Sequence, residues 1–150
     1  YWHQVVKIND YQKNRFAQKI IEYFDGNLIG KKIAILGWAF KANTNDSRES
    51  AAIKVSEILF NSGASLSIYD PKVQKKTISN DIETLWETNN SALTKNRIEI
   101  VEKLNDINQV DAFVILTEWK EFQVIENKGS KVIFDGRNIN QNKNKFSIGK

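Results

Sequence analysis

The segment KKIAILGWAF constrains this chain more than any other. From Ile33 to Leu36 it is apolar at every position, and it stops at Gly37. A strand with one wet face alternates polar and apolar residues. An unbroken run of strand length belongs to a strand buried on both faces, in a parallel sheet with helices on either side. Ala112 to Leu116 (AFVIL) repeats the signal, and Leu66 to Tyr69 and Val132 to Phe134 give shorter versions of it. Between the first two runs lie a polar stretch, Lys41 to Ser47, and a helical stripe, Ala52, Val55, Ile58 and Leu59, which Ser62-Gly63 ends. Strand, helix and strand in that order form a crossover unit, and such units are right-handed.

The rest of the chain continues the pattern. Phe16, Ile20 and Phe24 recur at spacing four and predict an opening helix over Val5 to Phe24, with Asn9 or Asp10 starting or bending it and Gly26 stopping it. Asp46 and Glu49 have the spacing of a capping box, which puts Arg48 in the first turn of the second helix. Thr88 to Asn96 reads as a loop and Ile98 to Val101 as a third strand. Asn105 to Gln109 reads as a helical turn or the end of a short helix, Trp119 to Glu126 as a short helix, and Phe146 to Ile148 as an edge strand. The expected class is α/β: a Rossmann-like, doubly wound, mostly parallel sheet with flanking helices.

Composition narrows the chemistry. The 150 residues contain no cysteine, and the single histidine is His3. Thiol catalysis and cysteine-ligated metals have no residues to work with here, and a histidine-based triad is not expected from one histidine at the extreme N-terminus. The net charge of +4 is a small, dispersed excess with no basic block, so a nucleic-acid partner is not expected. No apolar run approaches a membrane span, and no membrane partner is expected. The chain opens on Tyr1 without a signal peptide. It reads as a piece of a longer cytoplasmic protein.

Ligands of doubly wound sheets bind beyond the carboxyl ends of the strands. That rule selects Gly37 to Lys41, Asp70, Thr117 to Trp119, and Asp135 to Arg137. The first turn, GWAFK, lacks the G-x-G-x-x-G pattern that lets a backbone approach a pyrophosphate, so a full NAD site here is disfavoured. Phe40 suits stacking under a base or sugar, or else the core. Lys41 suits a phosphate or sugar hydroxyl, or else solvent. Arg137 follows a flexible glycine and suits bidentate contact with phosphate or sugar oxygens, with Asp135 either positioning it or capping a turn. A cation at a helix start opposes the dipole, so Arg48 calls for an anion: Glu49, Asp46 or a bound phosphate. Asp70 stands where such folds hold a ribose. Asp-Pro is also a strong turn dipeptide, and without the glycine pattern the turn is the favoured reading. Thr117-Glu118-Trp119 reads as a cap and first turn with Trp119 buried.

Five stretches together resemble the C-terminal domain of the UDP-glucose/GDP-mannose dehydrogenase family: INDYQKNRF, KKIAILGWAFKANTNDSRES, GASLSIYDPKV, ILTEWKEF and VIFDGRN. Their order and spacing also fit, over nearly the whole chain. The resemblance implies that residues 1–26 end a connecting helix from a central region, and that residues 27–150 form the UDP-sugar-binding, Rossmann-like domain. It implies that Phe40, Lys41 and Arg137 contact the UDP-sugar, and that Arg48 reaches NAD held mainly by an N-terminal domain. It leans toward members that oxidise UDP-glucose to UDP-glucuronate with two NAD⁺, with UDP-N-acetylmannosamine or GDP-mannose as alternative substrates and a non-catalytic nucleotide-binding module as a further alternative. The family's catalytic cysteine and glycine fingerprint are not in this chain. No catalytic or metal-binding residue is therefore assigned here, and the chain by itself is expected to be inactive. The full-length protein is expected to be a homodimer or larger and to serve polysaccharide precursor synthesis.

Overall fold

The computed structural model describes residues 2–87, 91–125, 132–140 and 145–147, with side chains from residue 10 onward except those of 91–93 and 145–147. The opening helix, α1, runs without a break over Trp2–Tyr23, so neither Asn9 nor Asp10 starts or bends it. Strand β1 is Lys32–Leu36, helix α2 is Ala51–Asn61 and strand β2 is Ser65–Tyr69. Helices α3 (Lys75–Leu85) and α4 (Ser91–Arg97) precede the short strand β3, Ile98–Ile100. Strands β4 (Ala112–Ile115), β5 (Val132–Asp135) and β6 (Lys145–Ser147) complete the sheet.

The six strands lie in the order β3-β2-β1-β4-β5-β6, and every pairing is parallel. The double apolar runs have the predicted cause. Ile33, Ala34, Ile35 and Leu36 are all fully buried, although successive side chains point to opposite faces. The strand order reverses between β1 and β4, and a crevice opens there at the carboxyl ends of the strands. Phe16, Ala17, Ile20 and Ile21 of α1 are buried in the same core. Each large apolar side chain buried this way contributes about 1.5–3 kcal/mol before chain entropy is charged.

Four expectations change. Helix α2 begins at Ala51, capped by Ser50, whose Oγ accepts the Ala52 N–H at 3.2 Å. Glu49 has a φ of 60°, which a first-turn residue cannot adopt, so the capping box of Asp46 and Glu49 does not form and Arg48 lies before the helix. The predicted loop from Thr88 to Asn96 is largely α4, residues 88–90 lying outside the described ones. Lys95 and Arg97 sit in its last turn, where the dipole favours cations. Arg97 also donates to the carbonyls of Phe60 and Ala64 and stacks 3.8 Å from the Phe60 ring centroid. Helix α3 was not anticipated; it buries Ile78 and Ile82, one turn apart. The segment after β4 is only a 3₁₀ turn, Lys120–Val124, as is Leu104–Asp106. Glu126 and Ile148 fall outside the described residues.

Gly37 ends β1 with a φ of 100°, and a Cβ there would stand 2.4 Å from Thr117 Oγ1 and 2.7 Å from the Thr117 backbone nitrogen. Both conformation and space demand glycine. Gly37→Ala is expected to lower stability by about 3 kcal/mol, read from the midpoint of denaturant unfolding.

Candidate functional site: a cleft at the strand ends

Asp70 shapes the turn that follows β1. It is 7 % exposed, and its Oδ2 accepts the backbone N–H groups of Trp38 at 2.7 Å and Ala39 at 2.9 Å. The same oxygen accepts the Trp119 indole N–H at 3.1 Å. Its Oδ1 accepts the N–H groups of Lys72 and Val73, each at 2.8 Å, closing the Asp-Pro turn. The turn reading of Asp70 therefore holds, and the residue does more than turn the chain. The two amides that a dinucleotide fold would offer to a pyrophosphate are already held by a carboxylate. With Trp38 fully buried behind them, the first turn does not fit NAD.

Beyond that turn the loop emerges into a cleft of about 230 Å³, lined among others by Gln12, Lys13, Phe40, Glu49 and Arg137. Phe40 is 40 % exposed, so the core alternative does not apply to it. Its backbone N–H donates to the Asp46 carbonyl, folding the Lys41–Ser47 loop back on itself. Lys41 Nζ lies 5.3 Å from the Phe40 ring centroid. Arg137 arrives from the end of β5. Gly136 makes this approach possible, because a Cβ there would come within 2.8 Å of the Ile115 carbonyl oxygen. Asp135 caps the turn rather than touching the guanidinium: Oδ1 accepts the Arg137 N–H at 3.0 Å, and Oδ2 accepts those of Ile139 and Asn140.

Glu118, after β4, joins these loops. Its Oε1 accepts the Ala42 N–H, and its Oε2 accepts Arg137 Nε at 2.6 Å and pairs with Nη2. Arg137 Nη2 also donates to the Phe40 carbonyl at 3.2 Å. Partial burial pushes the Glu118 carboxyl up, but the Ala42 N–H and the Arg137 guanidinium outweigh it and hold the group below its ordinary value. Thr117 does not cap a helix; its hydroxyl donates to the Ala39 carbonyl at 2.6 Å. Trp119 is buried, as the sequence implied. From α3, Asp81 Oδ2 accepts the Trp38 indole N–H at 2.9 Å and the Ser47 hydroxyl at 2.6 Å, tying both ends of the loop to one helix.

Phe40, Lys41 and Arg137 are thus brought together. Arg48 stands apart, its side chain 87 % exposed. It pairs with Asp46 through Nε at 3.0 Å and Nη2 at 2.9 Å, so the anion it called for is Asp46. Those bonds take the Asp46 carboxyl down to about 2. A larger cleft of about 590 Å³, between the Leu104–Val110 segment and Val124–Ile125, contains none of these four residues. Among the described residues no group of His, Cys, Asp or Glu is arranged to hold a metal ion, and no helix is long and apolar enough to cross a membrane. Sequence reasoning missed Glu118 and Asp81 as builders of the site. Glu118 carried one usable signal, its place directly after a buried strand.

The UDP binding domain of the UDP-glucose/GDP-mannose dehydrogenase family matches residues 34–142. The chain belongs to this family. UDP-glucose 6-dehydrogenases of Drosophila melanogaster and Caenorhabditis elegans are 41% and 42% identical to it, each over 99% of this chain. The chain spans about a third of the length of these curated relatives: 33% and 32%. A UDP-glucose dehydrogenase from the archaeon Pyrobaculum islandicum superimposes with a TM-score of 0.70 at 29% identity, covering 97% of this chain and 31% of that one. A GDP-mannose dehydrogenase from Pseudomonas shares the fold, with a TM-score of 0.61 at 22% identity, over 88% of this chain and 31% of that one.

Two outcomes follow from the geometry. Asp70→Asn replaces one acceptor oxygen with a donor amide facing backbone N–H groups. It should cost about 3 kcal/mol, measured by denaturant unfolding. Glu118→Gln should lower Tm at neutral pH. Because the folded-state pKa of Glu118 is depressed, its contribution is present above the unfolded value of about 4.3 and is lost as pH falls through the folded value. The Tm gap between wild type and variant should therefore close below about pH 4.

Proposed function

We propose that this chain is the UDP-sugar-binding part of an NAD-dependent UDP-glucose 6-dehydrogenase, which oxidises UDP-glucose to UDP-glucuronate. The observation that carries the proposal is that Phe40 and Arg137 line one cleft at the switch point of the sheet, with Lys41 beside the Phe40 ring. An exposed ring offers a face to a base or sugar, a lysine offers a point charge, and an arginine offers aligned N–H groups to phosphate oxygens. The identity to UDP-glucose 6-dehydrogenases supports the choice of substrate.

The chemistry of oxidation needs groups that this chain does not contain. It has no cysteine to serve as a nucleophile, and its first turn is closed to a dinucleotide. Bound NAD would supply the hydride acceptor, held mainly by an N-terminal domain. Arg48 would reach it from this side, exchanging Asp46 for the cofactor. Its highly exposed side chain, outside the cleft, is consistent with that second partner. Residues 1–26 would enter from a central region, residues 27–150 would form the binding domain, and the full-length protein would act in the cytoplasm as a homodimer or larger.

A thermal-shift series with UDP, UDP-glucose and GDP-mannose tests the proposal. At 100 times its Kd a ligand adds about 2.7 kcal/mol of stability. UDP and UDP-glucose should raise Tm in the wild type, and the rise should be smaller in Lys41→Ala and Arg137→Ala. A response to GDP-mannose without one to UDP would contradict the uridine assignment.

A further inference from the structure

We infer that Glu118 is a positioning residue: it clamps Arg137 and the Phe40–Ala42 loop in one arrangement, so that Arg137 meets the diphosphate through Nη1 alone. The inference rests on the uridine-diphosphate reading above and assigns a division of labour within that site.

A guanidinium carries five N–H donors in a fixed plane. In Arg137, Nε and one N–H of Nη2 face Glu118, and the other N–H of Nη2 goes to the Phe40 carbonyl. The two N–H groups left are both on Nη1, which has no partner among the described residues. Glu118 meanwhile uses its second oxygen for the Ala42 N–H, on the far side of Lys41. The result is a closed ring: Glu118, Arg137, the Phe40 carbonyl, the Lys41 backbone, the Ala42 N–H, and Glu118 again. It ties together loops from the ends of β1, β4 and β5.

The electrostatic consequence is specific. Glu118 neutralises the net charge of Arg137 while leaving two of its N–H groups aligned. Arg137 then contributes direction, and Lys41, with no ion pair among the described residues, contributes the uncompensated positive charge. Holding a long side chain before the ligand arrives also removes the cost of ordering it at the moment of binding. A lysine at position 137 could not reproduce this, because an ammonium lacks the planar fork that serves both Glu118 and the ligand.

The test is a double-mutant cycle on this 150-residue chain, with UDP as the probe in titration calorimetry. It is paired with NMR observation of the Arg137 side-chain Nε–H in the ligand-free protein. Glu118→Gln should weaken UDP binding about tenfold, the usual worth of a charge-assisted hydrogen bond. In an Arg137→Ala background the same change should weaken it no further. The Arg137 Nε–H signal, shifted by its carboxylate partner in wild type, should lose that shift in Glu118→Gln. Equal losses in both backgrounds would mean that Glu118 merely holds the fold, and would overturn the inference. An unchanged Nε–H signal in the variant would overturn it equally. If the wild type ignores UDP, the substrate reading fails, and the Nε–H measurement alone decides whether Glu118 clamps Arg137.

Discussion

A single buried carboxylate sets the geometry on which the binding end of this domain depends. Asp70 leaves the end of β2 and accepts five hydrogen bonds, four from backbone amides and one from an indole. Taking a charged group out of water is costly, and it is sustained only where donors replace the lost hydration. Here the donors come from three separate segments, after β1, after β2 and after β4. Satisfying the carboxylate therefore fixes those segments relative to one another. The same bonds consume the amides of the first turn, and this decides where a ligand can go. A phosphate finds no free amides in the turn, and the proposed site lies further out, at Phe40, Lys41 and Arg137.

That outer layer is held by a second, more exposed carboxylate and by two helices. Glu118 links the loops of β1 and β5 through Ala42 and Arg137. Asp81 of α3 pins Trp38 and Ser47, so the loop between them is fixed at both ends. Helix α1 supplies one wall of the cleft with Gln12, Lys13 and Phe16, while its next turns anchor it in the core. The ligand-facing residues sit on loops, but each loop is tied to buried or helical structure. This is how flexible segments are made into a defined surface.

Much of the fold was legible because the strongest signals came from burial. Four apolar positions in a row from Ile33 to Leu36 admit few alternatives to a central parallel strand. The positions of Phe40, Lys41 and Arg137 followed from the strand-end rule and from the family resemblance. What was missed has a common cause. The start of α2 turned on the left-handed conformation of Glu49, which no side-chain pattern announces. Helix α3 buries only Ile78 and Ile82, and none of the described side chains of α4 is buried, so their apolar periodicity is faint beside their polar composition. Glu118, Asp81 and the second role of Asp70 depend on partners tens of residues away, and spacing along the chain gives no access to such contacts. Arg48 shows the reverse case: the need for an anion was readable, and the nearby Asp46 meets it.

The central claim is that Asp70 closes the first turn and thereby leaves the proposed ligand site to Phe40, Lys41 and Arg137 further out. An amide-resolved NMR titration with UDP examines this most directly. The account predicts shifts at Phe40, Lys41, Ala42, Gly136 and Arg137, with the Trp38 and Ala39 amides left in place on the Asp70 carboxylate. Large shifts at Trp38 and Ala39, with the cleft residues unmoved, would mean that the phosphate displaces Asp70 and enters the turn, and would contradict it.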